Sequence, residues 1–137
     1  MERDVFDYWA GGALGFDTLA AQTVLSMRTQ YPALHLNLAL PCPTQTQGWA
    51  ARDCVLYEQI KQQADSYVYL PPFYTPTCMS RRNRYLVEHS SYCVGYCTKK
   101  QSGTGYTMEY ARKLEKIVFN LAYEIHSQSE PEQISFF

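Results

Sequence analysis

Three stretches of this chain place residues able to hold an anion next to residues able to orient it. The first is Ala10-Gly11-Gly12-Ala13-Leu14-Gly15-Phe16-Asp17-Thr18, a glycine-rich turn entered by an apolar run from Val5 and left by a helical pattern. Glycines allow backbone N–H groups to approach a phosphate closely, and a helix N-terminus adds partial positive charge. Gly11, Gly12 and Gly15 are the candidate cradle, with Asp17 either capping the helix or accepting from a sugar hydroxyl. The spacing is not G-x-G-x-x-G, and there is no P-loop Lys-Ser/Thr pair. A tight turn that lets the helix lie on its sheet is an equally good reading of these residues alone. The second stretch, Arg81-Arg82-Asn83-Arg84, puts three guanidinium forks at the start of a short helix, a candidate clamp for phosphate or carboxylate. Its bland counterpart is a solvated helix face. The third, Ser102-Gly103-Thr104, is a second glycine-bearing turn opening a helix.

Those residues require elements to carry them. Leu34, Leu36, Leu38 and Leu40 alternate with His35, Asn37 and Ala39, a period of two that marks a strand with one buried face. His35 lies on the other face and has no second ligand at metal-binding spacing. Pro41-Cys42-Pro43 stops the strand. The polar loop Thr44-Gln45-Thr46-Gln47-Gly48, ending at Trp49, suits either a ligand-facing segment or a plain connection. Asp17 or Thr18 is expected to cap a helix with Ala20, Ala21, Val24, Leu25 and Met27 inward, ended near Tyr31 by Pro32. A second helix is expected with Trp49, Leu56, Ile60 and Ala64 on one face, and a third strand runs from Ser66 to Leu70. The aromatics of Pro71–Thr77 either stack on a ring or pack over the sheet edge. Tyr92–Cys97 reads as a central fourth strand and Ile117–Leu121 as a fifth, with a helix bearing Met108, Ala111 and Leu114 between them.

Alternating strands and helices imply an α/β fold, a mainly parallel sheet of about five strands with helices on both faces. In such sheets ligands bind beyond the carboxyl ends of the strands, and every stretch flagged above falls at that edge. Residues 1–122 form the expected domain and residues 123–137 a polar tail ending in the apolar Phe136-Phe137.

Bulk properties narrow the partners. A net charge of −1 gives no whole-domain case for nucleic acid. Five cysteines, an odd number without a C-x-x-C, favour reduced thiols over a disulfide scaffold or zinc site. With no signal-peptide pattern and no run of membrane-spanning length, the expected setting is the cytoplasm, with no membrane partner.

Taken in order, the glycine turn with Leu19-Ala20-Ala21, the strand end Leu38–Cys42, Gln47-Gly48-Trp49, Ala64-Asp65, Arg82–Val87, Gly103-Thr104 and Tyr110-Ala111 resemble the SLOG superfamily, in its DUF1273 or YpsA-like branch. The resemblance implies a Rossmann-like three-layer sandwich with a pocket for a nucleotide or nucleotide-derived phosphorylated molecule. It adds Gln47, Trp49 and Asn83 to the expected ligand-binding set, and it implies no cofactor and no metal. Relatives include LOG-type phosphoribohydrolases and the DNA-processing protein DprA. Members of the branch usually begin with a strand ending in Gly-His-Arg and a helix. Either a shortened domain or a reading frame that has lost its first unit is therefore expected here, with a raw sheet edge that a partner subunit, such as a second copy, could cover. LOG-type enzymes pair an arginine with a glutamate in P-G-G-x-G-T-x-x-E. Arg82 is the expected counterpart of the arginine. Glu109 stands five residues after Thr104, so the spacing departs from that motif, and ligand binding ranks above the alternatives of N-glycosidic hydrolysis with Arg82 and Glu109 as catalytic pair and of an interaction or regulatory subunit with a vestigial pocket.

Overall fold

A computed structural model describes residues 6–70 and 76–123. The aromatics of Pro71–Thr75 and the tail beyond Tyr123, including Phe136-Phe137, lie outside the described residues. Strands and helices alternate: β1 (Asp7–Ala10), α1 (Phe16–Met27), β2 (His35–Leu40), α2 (Ala51–Gln63), β3 (Ser66–Tyr69), α3 (Cys78–Glu88), β4 (Tyr92–Gly95), α4 (Gly103–Lys113) and β5 (Ile117–Asn120). All pairings are parallel, as the crossover helices require, and the fold is α/β and Rossmann-like.

The leucine alternation of β2 organises the core. Leu34, Leu36, Leu38 and Leu40 are each 0–2% exposed. They pack with Tyr8 and Ala10 of β1, Ala21 and Val24 of α1, and Tyr57 and Ile60 of α2. The register sets Tyr8 opposite Leu36 and Ala10 opposite Leu38, so both strands present the same parity to these two helices. Trp9, of opposite parity, meets α3 on the other face, with Tyr85 edge-on at 5.4 Å between ring centroids and His89 at 6.1 Å. Helices thus cover both faces.

The expected single sheet is divided. β1, β2 and β3 form one sheet in that order, and β4 pairs with β5 in a second. β4 is therefore not a central strand: its four residues are all only partly buried, and among the described residues its one ladder is to β5. The physical reason lies between the two sheets, where the edges of β1 and β4 face a common cavity instead of each other.

The start of α1 also differs from expectation. The helix begins at Phe16 with Gly15 in the N-cap position, and no side chain caps it. Gly15 has φ 89°, a left-handed conformation that glycine adopts without penalty. Neither Asp17 nor Thr18 is the cap: both lie inside the first turn and reach back to Ala13. The Asp17 carboxylate accepts from the Ala13 N–H (3.2 Å) and the Thr18 hydroxyl donates to the Ala13 carbonyl (3.0 Å).

Candidate ligand cavity

A cavity of about 390 Å³ opens at the carboxyl ends of β1 and β4. Trp9, Ala10 and Gly11 bring β1 and its turn to one wall, and Cys93, Val94 and Gly95 bring β4 to another. Arg82, Asn83, Leu86 and Val87 line it from one face of α3, at the three- and four-residue steps that a helix repeats, and Ser90 follows just beyond the helix end. The first turns of α1 and α4 complete it, through Phe16 and Asp17 on one side and Ser102, Gly103 and Thr104 on the other. Both helix N-termini thus meet the same space, and each contributes roughly half a positive charge there. Ser102 caps α4: its hydroxyl accepts from the Gly105 N–H (3.0 Å) and donates to the Lys99 carbonyl (2.7 Å).

Arg82 is 5% exposed, a buried cation. It donates to the Gly11 carbonyl, and its Nε donates to the Asn83 side-chain oxygen at 2.7 Å. Asp17 stands beside it. A Cβ built on Gly11 would lie 2.8 Å from the Arg82 guanidinium carbon and 2.9 Å from Asp17 Oδ2, so any side chain there would force one of those two groups to move. Burial pushes the Asp17 carboxyl above the usual carboxylate range, opposed by the Arg82 charge and by the Ala13 N–H. Burial likewise lowers the Arg82 pKa, opposed first by Asp17. The two charges hold each other in place without ion-pair contact among the described residues.

The three anticipated anion stretches therefore meet. Gly11, Asp17, Arg82, Asn83, Ser102, Gly103 and Thr104 share the cavity wall. Of the arginine cluster, Arg81 and Arg84 are exposed, and Arg84 lies over the Tyr110 ring. Gly12 and Gly15 belong to the turn but not to the wall. Gly12 backs onto the core, where an added Cβ would meet Leu40 Cδ2 at 2.5 Å.

Gln47 and Trp49 are not on the wall of this cavity. Gln47 is exposed, while Trp49 packs edge-on against Tyr57, 5.6 Å between centroids, at the core. The buried member of that loop is Gln45, whose amide has no hydrogen-bond partner among the described residues. Glu109 is also elsewhere: it is exposed and ion-paired with Arg112 at 2.7 Å, so the structure does not bring it to Arg82. His35 is paired with Asp7 (3.4 Å), and among the described residues no group of three His, Cys, Asp or Glu side chains gathers to hold a metal. No helix among them is long and apolar enough to cross a membrane.

Sequence reasoning missed Trp9. A sufficient signal was present: Tyr8 and Ala10 share a parity, so Trp9 points to the opposite face, one residue before the strand's carboxyl end. Thr107 and Met108 were missed as well, and they follow from α4 geometry once Ser102 is its cap.

Comparison with known proteins agrees with this architecture. The chain is 27% identical over 124 residues to the uncharacterized SPbeta prophage-derived protein YoqJ of Bacillus subtilis (strain 168), covering 82% of this chain and 72% of that protein. It is 33% identical over 79 residues to a UPF0398 protein of Bacillus pumilus (56% of this chain, 42% of the relative). A UPF0398 protein of Bacillus thuringiensis (strain Al Hakam) is 28% identical over 109 residues (77% and 59%). The chain therefore spans less than two thirds of these UPF0398 relatives. The family model described as YspA SLOG family matches residues 1–127, nearly the whole chain, and the protein belongs to that family.

Proposed function

We propose that the cavity between β1 and β4 binds a nucleotide or a nucleotide-derived phosphorylated small molecule, and that the protein serves as a sensor or regulator through that site. The observation carrying this reading is the convergence of two glycine-bearing helix N-termini on one cavity that holds the buried Arg82 with the half-buried Asp17 near it. Its volume, about 390 Å³, lies in the range of small-molecule sites. The anionic group would sit between the Gly11 turn and the Ser102–Thr104 turn, facing N–H groups and both helix dipoles. Asp17 would accept from a sugar hydroxyl. Arg82 would supply positive potential while its own N–H groups hold the turn. SLOG membership supports the same chemistry, since the superfamily includes proteins that act on nucleotide-related ligands.

Isothermal titration against nucleosides, nucleoside mono- and diphosphates, NAD, ADP-ribose and cyclic nucleotides tests the proposal. Binding of at least one member at micromolar affinity, lost in Gly103→Val with the fold retained, is the expected result. Failure of the whole panel overturns it.

A further inference from the structure

The cavity is poor in charge for a site that receives a phosphate. Among the described residues its charged lining groups are Arg82 and Asp17, of opposite sign. The guanidinium is already engaged by the Gly11 carbonyl, the Asn83 side chain and, at 3.8 Å, the Met79 sulfur. A phosphate monoester brings about −1.5 to −2 charges, which two half-charged helix ends and one offset arginine neutralise only in part. Lys99 and Lys100, next along the chain, are exposed and do not line the cavity.

The apolar wall is better provided. Trp9 lines the cavity from the strand edge that faces β4, where β1 has no ladder among the described residues. Its indole packs against α3 and the helix end: Tyr85 makes a T-shaped contact with it at 5.4 Å with planes at 69°, and Tyr85 is itself stacked on His89 at 3.8 Å. Trp9 thus shares the cavity wall with Leu86 and Met108 as an aromatic ring already braced by Tyr85 before any ligand arrives.

We infer that the affinity of this site resides in the ring end of its ligand, and that Trp9 is the residue that selects it, stacking on a purine- or pyrimidine-type heteroaromatic ring. The inference rests on the functional reading above and narrows it. The preferred ligands are nucleosides and their monophosphates, with further phosphates contributing little.

Calorimetric titration of the wild-type chain with a nucleoside, its 5′-mono-, di- and triphosphate, and ribose 5-phosphate reads the inference without any variant. The nucleoside is expected to bind within about tenfold of its monophosphate, and each further phosphate to change Kd less than about threefold. Ribose 5-phosphate is expected to bind at least tenfold more weakly than the monophosphate. Trp9→Leu should raise the nucleoside Kd by about tenfold, a typical base-stacking loss, and Trp9→Phe should restore most of it, while neither alters ribose 5-phosphate binding. If Trp9→Leu does not fold, Trp9→Phe and quenching of indole fluorescence by the nucleoside carry the comparison. Affinity that rises tenfold or more per phosphate, or ribose 5-phosphate binding as tightly as the nucleotide, overturns the inference and leaves the functional reading standing. Absence of binding by every ring-bearing compound overturns both.

Discussion

Removing the Arg82 side chain is expected to expose the dependence of the fold on the buried charge pair. Arg82→Met keeps most of the apolar volume but withdraws the donor from the Gly11 carbonyl and the counter-charge from Asp17. A hydrogen bond to a charged donor contributes about 1.5–3 kcal/mol. The lost attraction is bounded above by about 4 kcal/mol for unit charges 4 Å apart at an effective dielectric of 20. Cavity water screens the pair, and the cost of desolvating the guanidinium is recovered in the variant. The net loss at pH 7.5 should therefore be about 3 kcal/mol, or a fall in Tm of roughly 10–15 °C for a chain of this length.

The pH dependence gives the stricter test. The folded-state Asp17 pKa is already raised by burial and rises further without Arg82, so the folded state binds a proton more tightly than the unfolded one. Its ionised form therefore costs stability above the folded pKa, and the cost disappears as pH falls below the unfolded value. The gap between wild type and Arg82→Met should narrow between pH 7.5 and pH 4 towards the hydrogen-bond contribution alone. Arg82→Met/Asp17→Asn should be more stable at pH 7.5 than Arg82→Met by about 1–2 kcal/mol. Urea unfolding followed by circular dichroism measures wild type, Arg82→Met, Asp17→Asn and the double variant. A gap that does not change with pH, together with strict additivity of the two substitutions, would refute the coupling.

Gly11→Ala places a methyl group against both the guanidinium and Asp17 Oδ2, so ligand binding should fall at least tenfold with a stability loss of about 2 kcal/mol, read by titration and urea unfolding. Ser102→Ala removes the side-chain acceptor from the Gly105 N–H and should cost about 1 kcal/mol by the same unfolding assay. Glu109→Gln disrupts only an exposed pair with Arg112, so stability should change by less than about 0.5 kcal/mol and ligand Kd by less than twofold. A larger loss of binding in that variant would return Glu109 to the site.

Much of the fold was legible because its patterns are local. The leucine alternation of β2 depends on residues within a few positions of each other, and the strand it predicts is present, whereas α1, expected to run to near Tyr31 and stop at Pro32, already ends at Met27. The meeting of Gly11, Arg82 and Ser102 was legible too, because parallel topology sends every strand's carboxyl end to one edge. The division of the sheet was not. Tyr92-Cys93-Val94 is apolar enough for a central strand, and local pattern cannot show whether a neighbour pairs with its edge or leaves a cavity there. Composition alone could not tell Arg82 from Arg81 and Arg84, since the three guanidinium groups differ only in which side of α3 they leave, and it was the family resemblance that singled out Arg82. Gln47 and Glu109 show the same limit from the other direction, for each is polar and close in sequence to a strand end or helix start yet faces solvent. The distinction between a residue near the site and a residue in it was made by Gly11. Its missing side chain is the space in which Arg82 and Asp17 approach, so Arg82 is brought to the turn from about seventy residues further along the chain by one absent methyl group.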